Sequence, residues 1–168
     1  MGVWDLVFHN LRCVLKEDKM SFAQHHRDLR VFQLGFDASM KIFEHSKKWL
    51  AEEKYSLTDQ IRRSSRSVCA NIAEAWRKRR YIAQFVNKLS DSDAEAAETQ
   101  VWLDFALACE YMDKKTYDEL YQVYEHVAGG LVKMMADPRA WCGPAVLREE
   151  SATYEAGHTS ADMDSDGG

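Results

Sequence analysis

The stretch Leu57-Thr58-Asp59-Gln60-Ile61-Arg62-Arg63-Ser64-Ser65-Arg66-Ser67-Val68-Cys69-Ala70-Asn71-Ile72-Ala73-Glu74 decides the fold class. Leu57, Ile61, Ser65, Val68 and Ile72, followed by Ala75 or Trp76, recur at three- and four-residue steps. That is the period of one buried face of an α-helix. Ser56 stands just before the pattern with Asp59 three residues on, the form of a capping box. A helix is therefore predicted from Leu57 to about Arg79. Ser64, Ser65, Ser67, Ala70 and Ala73 are dense small residues, so a neighbouring backbone can approach closely.

Working outward, the same period continues on both sides. Leu29, Phe32, Phe36, Met40, Phe43 and Leu50 predict a helix from about Asp28 to Leu50, with Ala51 to Tyr55 as a short connection. Ile82, Phe85, Leu89, Ala96, Leu103 and Leu107 predict a third helix from near Tyr81 to Tyr111. Asp113 is a candidate cap for a fourth, which carries Tyr117, Leu120, Tyr124, Val127, Leu131 and Met135. Asp137-Pro138 ends it, since proline cannot continue a helix. Four amphipathic helices with short loops predict an all-α, up-down antiparallel four-helix bundle over residues 27–136. Residues 1–26 are read as a flexible or short helical extension, with Val3, Trp4, Val7, Leu11, Val14 and Leu15 on one face. Residues 137–168, rich in Gly, Ser and acids and without periodicity, are read as an acidic, disordered tail.

Two helices carry apolar residues on a second face: Val31, Ile42 and Trp49 on the first, Trp102 and Phe105 on the third. One core does not need two apolar faces per helix, so these five are candidates for an oligomer interface. Asp93 and Gln100 project onto the core face of the third helix. A buried polar group needs a partner, and Asn71 is one candidate, so these three are read as a structural polar layer.

Composition sets the outer bounds. The 168 residues suit one domain, and a net charge of −5 gives no sign of a nucleic-acid binder in bulk. No apolar run approaches the roughly 20 residues that span a bilayer, so no membrane partner is expected. Cys13, Cys69, Cys109 and Cys142 are far apart and form no C-x-x-C pair, which favours free thiols in a reducing cytoplasm over disulfides or zinc. Phosphate-loop, dinucleotide, zinc-protease and nucleophile-elbow signatures are missing from the chain. The one E-x-x-H, Glu155 to His158, lies in the tail. No enzyme, metal or cofactor is expected.

Charge clusters in one place. From Ile61 to Lys88 stand Arg62, Arg63, Arg66, Arg77, Lys78, Arg79, Arg80 and Lys88 against the single acid Glu74, a local excess of seven positive charges. At about 100° per residue Arg62, Arg66, Arg77 and Arg80 fall on one side, away from the apolar stripe, with Ala70 and Ala73 between the two pairs. Three readings compete: a solvated basic face, a subunit contact pairing with a neighbour's acids, and a phosphate-binding surface that exploits the bidentate fit of arginine. The aromatic residues follow core spacing and do not interleave with the arginines.

The block Leu57 to Ser65 followed by Ser67 to Glu74, and above all Ala70-Asn71-Ile72-Ala73-Glu74, resembles the four-helix-bundle proteins encoded in 23S ribosomal RNA intervening sequences. Arg27-Asp28-Leu29-Arg30-Val31-Phe32-Gln33 and Glu98-Thr99-Gln100 extend the match over about residues 27–135. The chain departs from the family at Cys69, where proline is usual, and at Ala75, where glycine is usual; both changes favour a straighter helix two. The resemblance implies closed, typically pentameric rings. Distant relatives of the fold serve as accessory proteins to the reverse transcriptases of diversity-generating retroelements. It therefore implies as partners the protein itself, structured RNA, or a reverse transcriptase. Binding through Arg62, Arg66, Arg77 and Arg80 is the leading expectation, and a protein-interaction scaffold the alternative.

Overall fold

The computed structural model describes residues 23–142; every reading placed on residues 1–22 and 143–168, including the N-terminal extension and the acidic tail, lies outside them. The described residues are all-helical. Four long helices follow one another: α1 Arg30–Ser46, α2 Asp59–Lys78, α3 Ile82–Ala108 and α4 Lys114–Ala136, with a last turn, α5 Arg139–Cys142. Each long helix packs against its chain neighbour, and α1 also packs against α4.

The helix ends explain where the chain turns. Before α1 the Asp28 carboxylate accepts the backbone N–H groups of Gln24 (2.9 Å) and His25 (2.7 Å), which fixes the 3-10 turn His26–Asp28. Between α1 and α2 the chain is already helical, as a 3-10 turn Ala51–Glu53 and a π turn Lys54–Thr58. Ser56 is therefore not an N-cap; its hydroxyl binds the Glu53 carboxylate instead. Asp113 does cap α4, accepting the backbone N–H and the hydroxyl of Thr116, both at 2.8 Å. Those two bonds hold its carboxyl below the usual carboxylate range. Pro138 ends α4, but the chain beyond it is not yet tail, because α5 follows and Cys142 is buried.

Leu29 is buried as expected, but beyond it the two faces of α1 are the reverse of the sequence expectation. Val31, Ile42 and Trp49 are buried within the protomer, so they do not form an outer interface face. Phe36 and Leu50, expected in the core, are exposed, and Phe32, Met40 and Phe43 are only half-buried. Close helix approach is the reason. A Cβ on Gly35 would meet the Cys69 sulfur at 3.3 Å, and one on Gly130 would meet a Val31 methyl at 2.4 Å. With Gly35, Ala38, Ser39 and Ser46 on the inner face, α2 and α4 sit too near to admit phenyl rings.

The polar layer also lies elsewhere. The Thr99 hydroxyl donates to the Ser64 Oγ (2.9 Å) or to the Glu95 carbonyl (2.8 Å), and the Ser92 hydroxyl donates to the Val68 carbonyl (2.9 Å). The Tyr124 hydroxyl is fully buried beside Ser65 and Thr99, without a hydrogen bond of good geometry, and burial pushes its pKa up. Gln100 reaches Glu125 on the surface (2.7 Å), and Asp93 is half-buried, its carboxyl pushed up by desolvation. Asn71 is also half-buried and accepts from Lys88 Nζ (3.3 Å), a residue of α3.

Candidate nucleic-acid interface

Arg62 and Arg66, at the start of the basic face of α2, lie along the furrow between α1 and α2. Antiparallel packing sets the register: Gly35 sits against Cys69, and Phe43 lies beneath Arg62 and Arg66. Arg62 is half-buried; its Nε donates to the Ser46 hydroxyl (2.7 Å) and its guanidinium lies 5.0 Å from the centre of the Phe43 ring. Arg66 is exposed and lies 5.5 Å from the same ring, and Lys47 Nζ lies 4.6 Å from it. Three cations thus gather on one aromatic ring, attracted by the negative face of its π-system. Aromatic residues therefore do interleave with the arginines, contrary to the sequence reading. Phe43 was missed because its partners come from another helix, although reversal of the chain across the short connection already places it opposite residues 62–66.

At the other end of α2 the arrangement differs. Arg77 and Arg80 are exposed, but α2 ends at Lys78, so Arg80 sits on the turn and not on the helical projection. Arg79 stacks at 4.3 Å on the Trp76 ring and donates to the Trp76 carbonyl (2.6 Å), covering the base of the helix. Lys88 is engaged by Glu74 (3.2 Å) and Asp91 (3.0 Å), and hydrogen bonds to these two raise its pKa. Lys88 and Glu74 therefore leave the cluster as a neutralised pair. Among the described residues the ion pairs fall on Lys41, Lys47, Lys88 and Lys114, and none of Arg62, Arg66, Arg77 or Arg80 meets a carboxylate.

Elsewhere the surface offers little chemistry. An open groove between α2 and α3 is lined by Asn71, Lys88, Asp91, Ala94, Glu95 and Glu98, with the Glu95 carboxyl raised by desolvation. Burial pushes the Cys69 thiol up to about 12, which keeps it protonated and unreactive. Among the described residues there is no cluster of three metal ligands, and no helix is long and apolar enough to cross a membrane. On the outer face of α3, Val101 and Phe105 are 49% and 52% exposed. Trp102 packs beside Phe105 with ring centres 5.7 Å apart, and its indole N–H donates to Glu98 (3.0 Å).

Comparison with known proteins agrees with the helical fold. A family model described as 23S rRNA-intervening sequence protein matches residues 27–133. Among solved structures, one crystal structure is of a protein of unknown function from the S23 ribosomal protein family of Bacteroides thetaiotaomicron. It is 27% identical, with a TM-score of 0.56, and the match covers 63% of this chain and 95% of that one. No curated protein matches the chain.

Proposed function

We propose, from the premise that this chain belongs to the family of 23S rRNA-intervening sequence proteins, that it is a non-enzymatic RNA-associated protein. It binds phosphates through Arg62, Arg66, Arg77 and Arg80. The observation that carries this reading is two arginines, Arg62 and Arg66, on the α1–α2 furrow and two more, Arg77 and Arg80, exposed at the far end of α2, none paired with a carboxylate among the described residues. Unpaired guanidinium groups are strong, bidentate phosphate ligands, and each contact releases counterions from the nucleic acid. The family's name, tied to 23S rRNA, supports the choice of RNA as partner.

The helices are taken as an up-down four-helix bundle that assembles into a ring, a pentamer by family resemblance. A ring repeats the arginine furrow once per subunit, so weak contacts add by multivalency. The test is a titration of structured RNA at low salt against wild type and a variant with all four arginines changed to glutamine. Loss of binding in a variant of unchanged mass is the expected result. Equal affinity would reduce the furrow to a solvated face.

A second reading, a protein-interaction scaffold, is favoured by the exposed Val101–Trp102–Phe105 patch. Its partner would be another copy of the chain or a reverse transcriptase. Binding there would change little with salt, because an apolar contact releases no counterions.

A further inference from the structure

We infer that the α1–α2 furrow takes single-stranded RNA, with a splayed base stacked on Phe36. This rests on the phosphate-binding reading of the same furrow and goes further, in naming the strand state and the aromatic platform. Phe36 is 43% exposed, and its ring stacks on Phe32 with centres 6.1 Å apart and planes 16° from parallel. Phe32 is half-buried and packed against the core, so the outer ring is held from behind.

Register places this ring between the two arginine groups. Gly35 lies against Cys69 in the antiparallel pair, so the Phe36 backbone falls level with Val68, and its ring leans back along α1 to stack on Phe32, toward the Ala70–Ala73 stretch across the furrow. Ala70 is exposed and Ala73 half-buried, so neither small side chain obstructs the ring. Arg66 lies on one side of that level and Arg77 on the other. Eleven residues of helix separate them, about 16 Å along the axis, room for a few nucleotides. Phosphates on the arginines would bracket a base on Phe36.

The Phe43 ring cannot serve in this way, because Lys47, Arg62 and Arg66 already crowd it. Charge fixes the side on which the backbone runs. Asp37 follows Phe36 on the exposed outer margin of α1, Glu44 is neutralised by Lys47 (2.7 Å), and the α2 arginines meet no carboxylate among the described residues, so phosphates are drawn to α2. A duplex keeps its bases stacked inside and has nothing to offer Phe36, whereas an unpaired strand presents a π-face at every base.

The experiment is fluorescence anisotropy with a short oligouridine RNA and a fully paired RNA duplex of the same length, against Phe36→Ala, Phe36→Tyr and the four-arginine variant. Phe36 is partly exposed, and a melting curve with light scattering checks that each variant folds and assembles as wild type. Phe36→Ala should bind oligouridine about tenfold more weakly, with an unchanged salt slope and unchanged duplex binding, as expected when one base loses its stacking platform. Phe36→Tyr keeps a stacking face and should stay near wild type. Undiminished oligouridine binding by Phe36→Ala overturns the inference. So does an equal loss for duplex and single strand, or a fall in assembly mass with RNA binding intact, which would make the ring a subunit contact. If only the Phe36 variants behave as wild type while the arginine variant loses binding, the phosphate reading stands alone. If the arginine variant binds as wild type, both fall together.

Discussion

The α1–α2 furrow and the outer face of α3 both place aromatic rings at the surface, but they differ in what covers them. Lys47, Arg62 and Arg66 lie over Phe43, whereas Phe105 and Val101 are bare. A ring under cations keeps its apolar area out of water while leaving charge on the surface, so its outward chemistry is electrostatic. A bare pair on α3 has only apolar area to offer, and a partner must supply the same. One protein thus presents two surfaces whose contacts should respond differently to salt, steeply at the furrow and little on α3.

The largest expected effect tests the α3 side. Phe105→Glu places a charge in the apolar patch. If the patch joins subunits, sedimentation or light scattering should show assembly weakened by roughly 30-fold or more, the scale of a central interface residue. Unchanged mass would break the comparison on that side and leave the patch to a different partner.

On the furrow side, Phe43→Leu keeps apolar bulk but removes the π-face. Urea unfolding should show a stability loss of about 1 kcal/mol, from packing and the cation contacts together. A loss that vanishes in the Arg62→Gln, Arg66→Gln background would sharpen the comparison, since it would assign the effect to those two cations. Additive losses would assign it to packing.

The smallest effect is expected at Asn71. The side chain is half-buried and holds one bond, to Lys88 at 3.3 Å, and Lys88 keeps Glu74 and Asp91 without it. Asn71→Ala should therefore cost under about 1 kcal/mol by thermal melting, less than a buried unpaired group would. Thr99→Val, which strips a fully buried bond to Ser64, should cost more. The reverse order would put the structural polar role back at Asn71.

The sequence was most legible where a helix has one apolar face. Ile61, Val68, Ile72 and Ala75 read as core and are core. It was least legible on α1, which is apolar on two sides. Periodicity alone favoured the larger rings of Phe32, Phe36 and Phe43, but the inner face is chosen by how closely the neighbours approach, and Gly130 on α4 is the position that settles it. The buried hydroxyls were passed over for a similar reason. Serine and threonine disappear into a stripe, whereas Asp93 and Gln100 draw notice, yet Gln100 pairs with Glu125 on the surface and Asp93 is only half-buried. Of the site, the four arginines were legible as a charge cluster, but Phe43 and Phe36 were not, because a helix pairing must be known before residues from α1 and α2 can be seen together.

The central claim, that the α2 arginines hold nucleic-acid phosphates, is tested most directly by the salt dependence of RNA binding. Four contacted phosphates on a single strand predict a fall in affinity of ~50-fold between roughly 50 and 200 mM salt. Changing all four arginines to glutamine should flatten the log–log slope by about 0.7 for each single-strand phosphate no longer held. A wild-type slope near zero, or a steep slope retained by the variant, would contradict the account.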